Sequence, residues 1–314
     1  MTSAPPLAPI DGVRKRSRRN RYLRHWGSAY LLVLPAFVLL VVMMAVPVGQ
    51  TFVFSMSKVT LPALDVIYIG FENFMRVFTD RDTLTVLRNT VVWVLASLVL
   101  RVGLGLIAAL IFNARVPGTM WLRVLVVLPW AIPSVVGANL WVWLMQPDVG
   151  LINNTLRAWG LGGLAQNWLS DPNIALFSVI IAYTWSGVPF VMLMLLAGMQ
   201  GIPKEYYEAS TMDGANAWQS FRYITVPSLR GVLVVVTILE IVHAINSFDT
   251  VMIMTAGGPA NATLLWGLDI YRVGFGEFDF GGAAARSVLL FLAGLIAFIF
   301  YATASRRQAA RSNR

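Results

Sequence analysis

Apolar residues in this chain come in long unbroken runs, without the 3.6-residue stripes of a surface helix or the alternation of a half-buried strand. Six runs stand out, at about Ala29–Phe54, Thr90–Phe112, Leu122–Met145, Ala175–Met199, Val232–Met254 and Ala283–Ala304. A helix needs about 20 apolar residues to cross a hydrocarbon core of roughly 30 Å, and each run is that long. The pattern therefore predicts an all-α integral membrane protein with six transmembrane helices in a domain spanning 29–304, between a basic tail at 1–28 and a second at 305–314. The first run, about 25 residues, exceeds the 7–15 of a signal-peptide core and reads as a retained anchor.

Charge gives the runs a direction. Arg14, Lys15, Arg16, Arg18, Arg19, Arg21 and Arg24 precede the first run, and so dense a cluster is held on the cytoplasmic side. Six spans then leave both termini cytoplasmic. With that orientation 16 of the 24 Lys and Arg fall in cytoplasmic segments and seven in outer ones, among them Lys58, Arg76, Arg272 and Arg286, while Arg101 lies inside the second span. Trp26 and Tyr30 at the inner end of the first span, and Trp141 and Trp143 at the outer end of the third, are placed as interfacial belts. Orientation is the plain role of the N-terminal cluster; contact with anionic lipid or with a partner are the others.

Composition narrows the chemistry. The chain is 57% hydrophobic and only 12% charged, with a mean hydropathy of +0.69, so its net charge of +9 does not make it a nucleic-acid binder. Having no cysteine, it lacks disulfides, thiolate metal sites and a Cys nucleophile, and two histidines without an HExxH pattern leave little metal chemistry. No GxxxxGK[ST] is present, and none of Lys15, Lys58 and Lys204 follows a glycine; no metal and no cofactor is expected on this chain, which reads as a transport component and not an enzyme.

The long connection between the fourth and fifth spans is too polar to cross a membrane and too patterned to be slack. Pro203, Glu205 and Glu208 suit the start of a helix and Gly214 its end, so Pro203–Met212 is predicted helical. A second helix is predicted from near Asn216 to before Pro227. Tyr206, Ala209 and Ser210 share a face of the first, and Trp218, Phe221, Tyr223 and Ile224 make an aromatic surface on the second. Such a hairpin has to be covered, either by the inner ends of its own spans or by a partner.

Glu208-Ala209-Ser210, then Asp213-Gly214-Ala215, then Ile224-Thr225-Val226-Pro227 resembles the EAA loop of binding-protein-dependent ABC importer permeases, with Ser210 where that family usually has Ala. Gly70-Phe71-Glu72-Asn73-Phe74, Leu128-Pro129-Trp130-Ala131-Ile132-Pro133, Gly187-Val188-Pro189-Phe190 and Thr255-Ala256-Gly257-Gly258-Pro259 are similar to segments of its carbohydrate-type, maltose-like branch. The resemblance implies a type I ABC importer permease (MetI-like) fold in the cytoplasmic membrane of a bacterium or archaeon. Coupling would run through Glu208, Ala209, Ser210, Asp213, Gly214, Ala215, Ile224 and Pro227 to a separate cytoplasmic ATPase dimer that binds ATP and Mg. It also implies a second permease subunit, as a heterodimer, an extracytoplasmic solute-binding protein, and a sugar or related polyol as solute.

The fifth run supplies a polar path of its own. Treated as one helix, it places Glu240, His243, Asn246, Ser247 and Thr250 within a sector of about 120°, with Asp249 nearby. Acids at mid-membrane cost about 2.5–3.5 kcal/mol each, so this face is expected against protein or water. Trp130, Tyr183 and Trp185 lie at similar depth beside Pro129, Pro133 and Pro189, which are expected to kink their helices. By similarity to the family, Asn246 and Ser247 are the expected solute contacts, with His243 and Glu240 as further candidates. Two other readings stand: Glu240 pairs with Arg101 or a neighbouring subunit to hold helices together, and the aromatic residues serve packing. A proton-coupled secondary transporter using Glu240 and His243 is the alternative function; it leaves the hairpin unexplained.

Overall fold

The computed structural model describes the backbone of residues 14–60, 62, 65–114 and 119–312, and side-chain surroundings over 30–60, 62, 65–114, 121–296 and 299. The tails at 1–13 and 313–314, and Arg115, lie outside the described residues. In order, helix α1 (Arg14–Ser55) is followed by β1 (Ser57–Thr60), β2 (Asp65–Tyr68), α2 (Glu72–Thr79) and α3 (Thr83–Asn113). Then come α4 (Thr119–Ala131), α5 (Ser134–Leu144), α6 (Leu151–Ala158), α7 (Ala175–Gln200), α8 (Lys204–Met212), α9 (Ala217–Ser220) and α10 (Val226–Ser228). The chain closes with α11 (Arg230–Ile245), α12 (Phe248–Met254), α13 (Trp266–Tyr271) and α14 (Phe280–Ser312).

Among the described residues three helical stretches are long and apolar enough to cross a membrane: Tyr30–Ser55, Thr83–Asn113 and Ala175–Gln200. Two further candidates are bent pairs, Trp121–Ala131 with Ser134–Leu144 at 101° and Ala217–Ser228 with Arg230–Ile245 at 67°, and Phe280–Ile296 is a shorter apolar stretch of α14. The expected third span is thus two helices meeting at Ile132-Pro133, because proline lacks the N–H that a continuous helix needs there and steers the residue before it out of helical geometry. Pro189 has no such effect: α7 runs through it unbroken. The expected fifth span is likewise divided, α11 ending at Ile245 and α12 starting at Phe248. The basic cluster at Arg14–Arg24 is helical and continuous with α1, ahead of the apolar stretch that begins at Tyr30.

The core forms where α3 meets α7. Along α3 the buried positions are Val86, Asn89, Trp93, Ser97, Arg101, Gly105, Ala109 and Phe112, one per helical turn, and Ser97, Gly105 and Ala109 are small enough for close approach. A Cβ on Gly105 would sit 2.6 Å from Val191 Cγ1. Two clusters result. Val86 and Trp93 pack with Leu176, Val179, Ile180, Val251, Leu264 and Leu268 at one level; Ala109 and Phe112 pack with Val191, Leu195, Met199, Leu229 and Val236 at the other. Helices α3 and α7 therefore run in the same direction, with the α8–α10 hairpin leaving from the second level.

At the first level a polar network joins segments far apart in sequence. The Asn73 amide donates to Ser55 O at 3.0 Å and Ser57 O at 2.9 Å, holding α2 under the β1–β2 hairpin. Asn89 donates to Asn261 O at 2.9 Å. Arg286, at the start of α14, bonds Asp269 of α13 through Nε at 2.7 Å and Asp80 after α2 through Nη2 at 2.7 Å, while Arg272 also reaches Asp269 at 2.8 Å. Arg286 and Asp269 are both buried. Arg286→Met is expected to cost about 3 kcal/mol, read as a lower midpoint of heat unfolding in detergent, with Arg286→Lys in between because it keeps the charge and loses the fork.

Candidate translocation cavity and coupling hairpin

Between the two breaks lies a cavity of about 390 Å³, walled by Pro129, Trp130 and Ile132 of the α4–α5 corner, Gly137 and Trp141 of α5, Tyr183, Trp185, Gly187 and Phe190 of α7, and the inward side chains of α11–α12 from Glu240 and His243 to Asp249 and Thr250. That is the size of a small-molecule site. The seven path candidates, Trp130, Tyr183, Trp185, Glu240, His243, Asn246 and Ser247, all line it. A continuous fifth helix is not what gathers them. Asn246 and Ser247 occupy the non-helical step between α11 and α12, where Trp93 Nε1 donates to Ala244 O at 3.0 Å and Ser247 Oγ at 2.9 Å. Irregular backbone at membrane depth is tolerated where protein satisfies it or water reaches it.

Within this wall sits a buried ion pair. Arg101 Nη1 donates to Glu240 Oε2 at 2.8 Å, with side-chain exposures of 5% and 1%. Its Nη2 bonds Tyr183 O, and the guanidinium lies 3.4 Å from the centre of the Tyr183 ring, so cation–π attraction adds to the charge pair. Gly187 makes the room, since any Cβ there would overlap the guanidinium. Glu240 thus holds α11 to α3 and α7, the helix-joining reading of this residue. Its second oxygen has no hydrogen-bond partner and lies 4.0 Å from His243 Nδ1, beyond hydrogen-bond range. Ser247, buried, spends its hydroxyl on Ala244 O at 2.7 Å and on Trp93. Asn246 is exposed, donates to Val242 O at 2.8 Å and keeps its side-chain carbonyl free to accept.

The aromatic wall is larger than the sequence suggested. Trp141 lines the cavity edge-on to Trp185, centroids 5.9 Å apart; it does not belong to an interfacial belt, and only Trp143, 76% exposed, faces outward. The available signal was its spacing from Gly137 and Ala138, one turn away on the same face of α5. Phe190 joins Trp130 and His243, at 6.3 and 6.0 Å. Asp249 also reaches the cavity.

The hairpin forms as the caps predict, with one difference. Pro203 caps α8, and Asn216 and Gln219 make a reciprocal capping box at the start of α9. The second helix continues past Pro227, because Phe221–Thr225 widens into a π turn that precedes the proline and α10. Tyr207 and Thr225 share a hydrogen bond of 2.9 Å, and Ser210 and Ser220 one of 3.2 Å, so Ser210 contributes a tie that alanine would not. Gly214 has φ +79°, the left-handed turn glycine adopts freely. Glu208, Ala209, Asp213, Gly214 and Pro227 are exposed, while Ser210, Ala215 and Ile224 are half-buried. Tyr206, Trp218 and Tyr223, at 57%, 69% and 74% exposure, are left uncovered by this chain's own helices.

A cavity walled by aromatic and polar side chains between broken membrane helices, beside an exposed amphipathic hairpin, is the arrangement of a membrane permease. The chain belongs to the family of binding-protein-dependent transport system inner membrane components, whose model matches residues 101–309, and it is a multi-pass inner-membrane permease. It is 35% identical over 280 residues to the trehalose/maltose transport system permease protein of Thermococcus litoralis, covering 88% of this chain and 93% of that one. It is 32% identical over 271 residues to the sulfoquinovosyl glycerol transport system permease protein of Agrobacterium fabrum, covering 84% and 85%. Its fold matches a chain of a bacterial ABC transporter involved in the import of the acidic polysaccharide alginate, with a TM-score of 0.79 at 23% identity over 92% of this chain and 99% of that one. The relatives are transport permeases; a proton-coupled carrier has no support among them.

Proposed function

We propose that this permease forms half of the path by which an ATP-driven importer takes up a sugar or related polyol delivered by an extracytoplasmic binding protein. The observation that carries the reading is the cavity, which sets hydrogen-bonding groups from α11–α12 against Trp130, Trp141, Trp185 and Tyr183. Hydroxyls require donors and acceptors, while the apolar faces of a sugar ring require aromatic walls. Relatives named for trehalose/maltose and for sulfoquinovosyl glycerol support the same class.

The chain offers one hairpin, so a second permease, a different chain forming a heterodimer, completes the path. ATP and Mg bind a cytoplasmic ATPase dimer, and none of the catalysis is on this chain. The α8–α10 hairpin docks in one ATPase groove through the uncovered aromatic face. Closure of the ATPases then rocks the helix bundle as a rigid body, by alternating access. The basic start of α1 and the hairpin lie on the cytoplasmic side, with both termini, and the Asp80–Arg286 network faces the binding protein. Glu240 already spends one oxygen on Arg101, which leaves the proton-relay alternative with little to run on.

The test is uptake into vesicles carrying the assembled importer, its binding protein and internal ATP, against a panel of labelled disaccharides, monosaccharides, polyols and glycerol phosphate. ATP-dependent accumulation of one of them is expected. Accumulation that persists without ATP and collapses with the proton gradient would restore the secondary-transporter reading.

A further inference from the structure

Several polar groups around the cavity are occupied within the chain, while the His243 ring, the Asn246 side-chain carbonyl and the Trp141 indole N–H stay open. Arg101 and Glu240, both buried, neutralise each other at the cavity wall. The Ser186 hydroxyl donates to Tyr183 O at 2.9 Å, the Ser247 hydroxyl to Ala244 O, and the Asn246 amide to Val242 O. Asp249 differs from these. It lines the same cavity, half-buried, and among the described residues its carboxylate has neither a hydrogen bond nor an ion pair. An ionisable group at membrane depth is costly unless something answers it, and among the described residues no side chain does.

We infer that Asp249 is the group on this chain that reads the solute: its carboxylate accepts hydrogen bonds from two neighbouring hydroxyls, so the face of the solute turned towards this chain is uncharged and hydroxyl-bearing. An ionised carboxylate accepts through two oxygens and donates nothing, which suits adjacent hydroxyl donors, and hydrogen bonds to a charged acceptor are the shorter and stronger kind. An anionic group in the same place would meet Asp249 as a like charge, with Arg101, the only guanidinium lining the cavity among the described residues, already paired to Glu240. Any acidic group on the solute therefore points away, towards the partner permease. The inference rests on the carbohydrate reading and refines it to one residue and one face of the solute.

The experiment uses the complete importer in ATP-loaded vesicles and the saccharide or polyol that the panel identifies, together with analogues in which single hydroxyls are replaced by hydrogen. The wild type is expected to lose tenfold or more in uptake for one adjacent pair of deoxy positions. Asp249→Asn is expected to lower uptake of the parent solute at least tenfold and to level the difference between parent and those analogues. The assembled variant importer should be recovered at wild-type yield with an unaltered heat-unfolding midpoint, a combination that a merely structural role would not produce. Asp249→Asn with wild-type uptake and wild-type discrimination overturns the inference, as does Asp249-dependent uptake of an amine cation in preference to any saccharide. Should the Asn variant not assemble, Asp249→Glu, which keeps the charge and moves it by one methylene, carries the same comparison, and unchanged discrimination overturns the proposal equally. A wild-type importer that moves no saccharide or polyol fails the carbohydrate reading before Asp249 is touched; one that does, with Asp249→Asn indistinguishable, fails this inference alone.

Discussion

Glu240→Ala should cut the yield of folded permease severely, because it leaves the Arg101 guanidinium buried with no counter-charge. Breaking a buried pair from one side typically costs about 3–5 kcal/mol, whereas replacing both partners by apolar groups of similar volume is often near neutral. Here the asymmetry is sharpened by packing: Arg101 lies against the Tyr183 ring and in the space over Gly187, so it cannot turn away from Glu240 without giving up its packing on α7. Arg101→Met combined with Glu240→Leu should therefore recover most of the folded protein, measured as monodisperse material in detergent and as its heat-unfolding midpoint. Gly187→Ala should reproduce the single-site loss, since its methyl evicts the guanidinium, and should add little to Glu240→Ala, whose pair is already gone. If the two losses add in full, the pair is not what Gly187 accommodates. Uptake by the apolar double variant then separates roles: transport near wild type leaves Glu240 as a joint between helices, and loss of transport with full folding restores it to the path.

How much of this was legible beforehand depends on the range of the physics involved. The apolar runs behind α1, α3 and α7 are local and long, so lipid solvation fixes them with little help from tertiary context, and α7 starts at Ala175 as read. The hairpin was legible for the same reason, its caps being set by side chains within four residues: Pro203 opens α8, Asn216 opens α9 and Gly214 turns between them. Breaks inside apolar runs were not. Pro129, Pro133 and Pro189 carry the same local signal, yet of the three the chain breaks only at Pro133; Pro129 faces the same cavity from an intact helix, so tertiary packing and not the local proline signal decides where the break falls. The Asn246-Ser247 step has no proline or glycine to announce it and depends on Trp93, some 150 residues earlier, for its hydrogen bonds. Asp249 was visible as a membrane acid, but a helical sector drawn through that break aims it wrongly. Trp141 was taken for an interfacial residue on depth alone, since facing direction follows only from the α4–α5 corner.

Gly214→Val should abolish coupling while leaving the membrane domain intact. The residue has φ +79° with no atom within 4 Å of where a Cβ would lie, so the substitution does not clash; it forces the turn out of the left-handed region, which costs a non-glycine residue about 1–2 kcal/mol and a β-branched one more. The chain relieves that strain most easily by reorienting α8 against α9, since only two side-chain hydrogen bonds, Tyr207–Thr225 and Ser210–Ser220, tie the hairpin. The buried core at Leu229 and Val236 lies beyond the hairpin and should be unaffected. The exposed face carrying Tyr206, Trp218 and Tyr223 would then no longer match the ATPase groove proposed for it, and truncating aromatic anchors at the centre of an interface costs about 2–4 kcal/mol each. Gly214→Ala, with less steric conflict at positive φ, should retain a measurable fraction of uptake, and Trp218→Ala should weaken ATPase binding with the turn unchanged. The readouts are co-purification of the ATPase, hydrolysis stimulated by loaded binding protein, and solute accumulation, all beside the heat-unfolding midpoint of the isolated permease. Loss of the first three at an unaltered midpoint places the defect at the docking surface; wild-type hydrolysis and accumulation in Gly214→Val would mean that the hairpin's geometry does not carry the coupling.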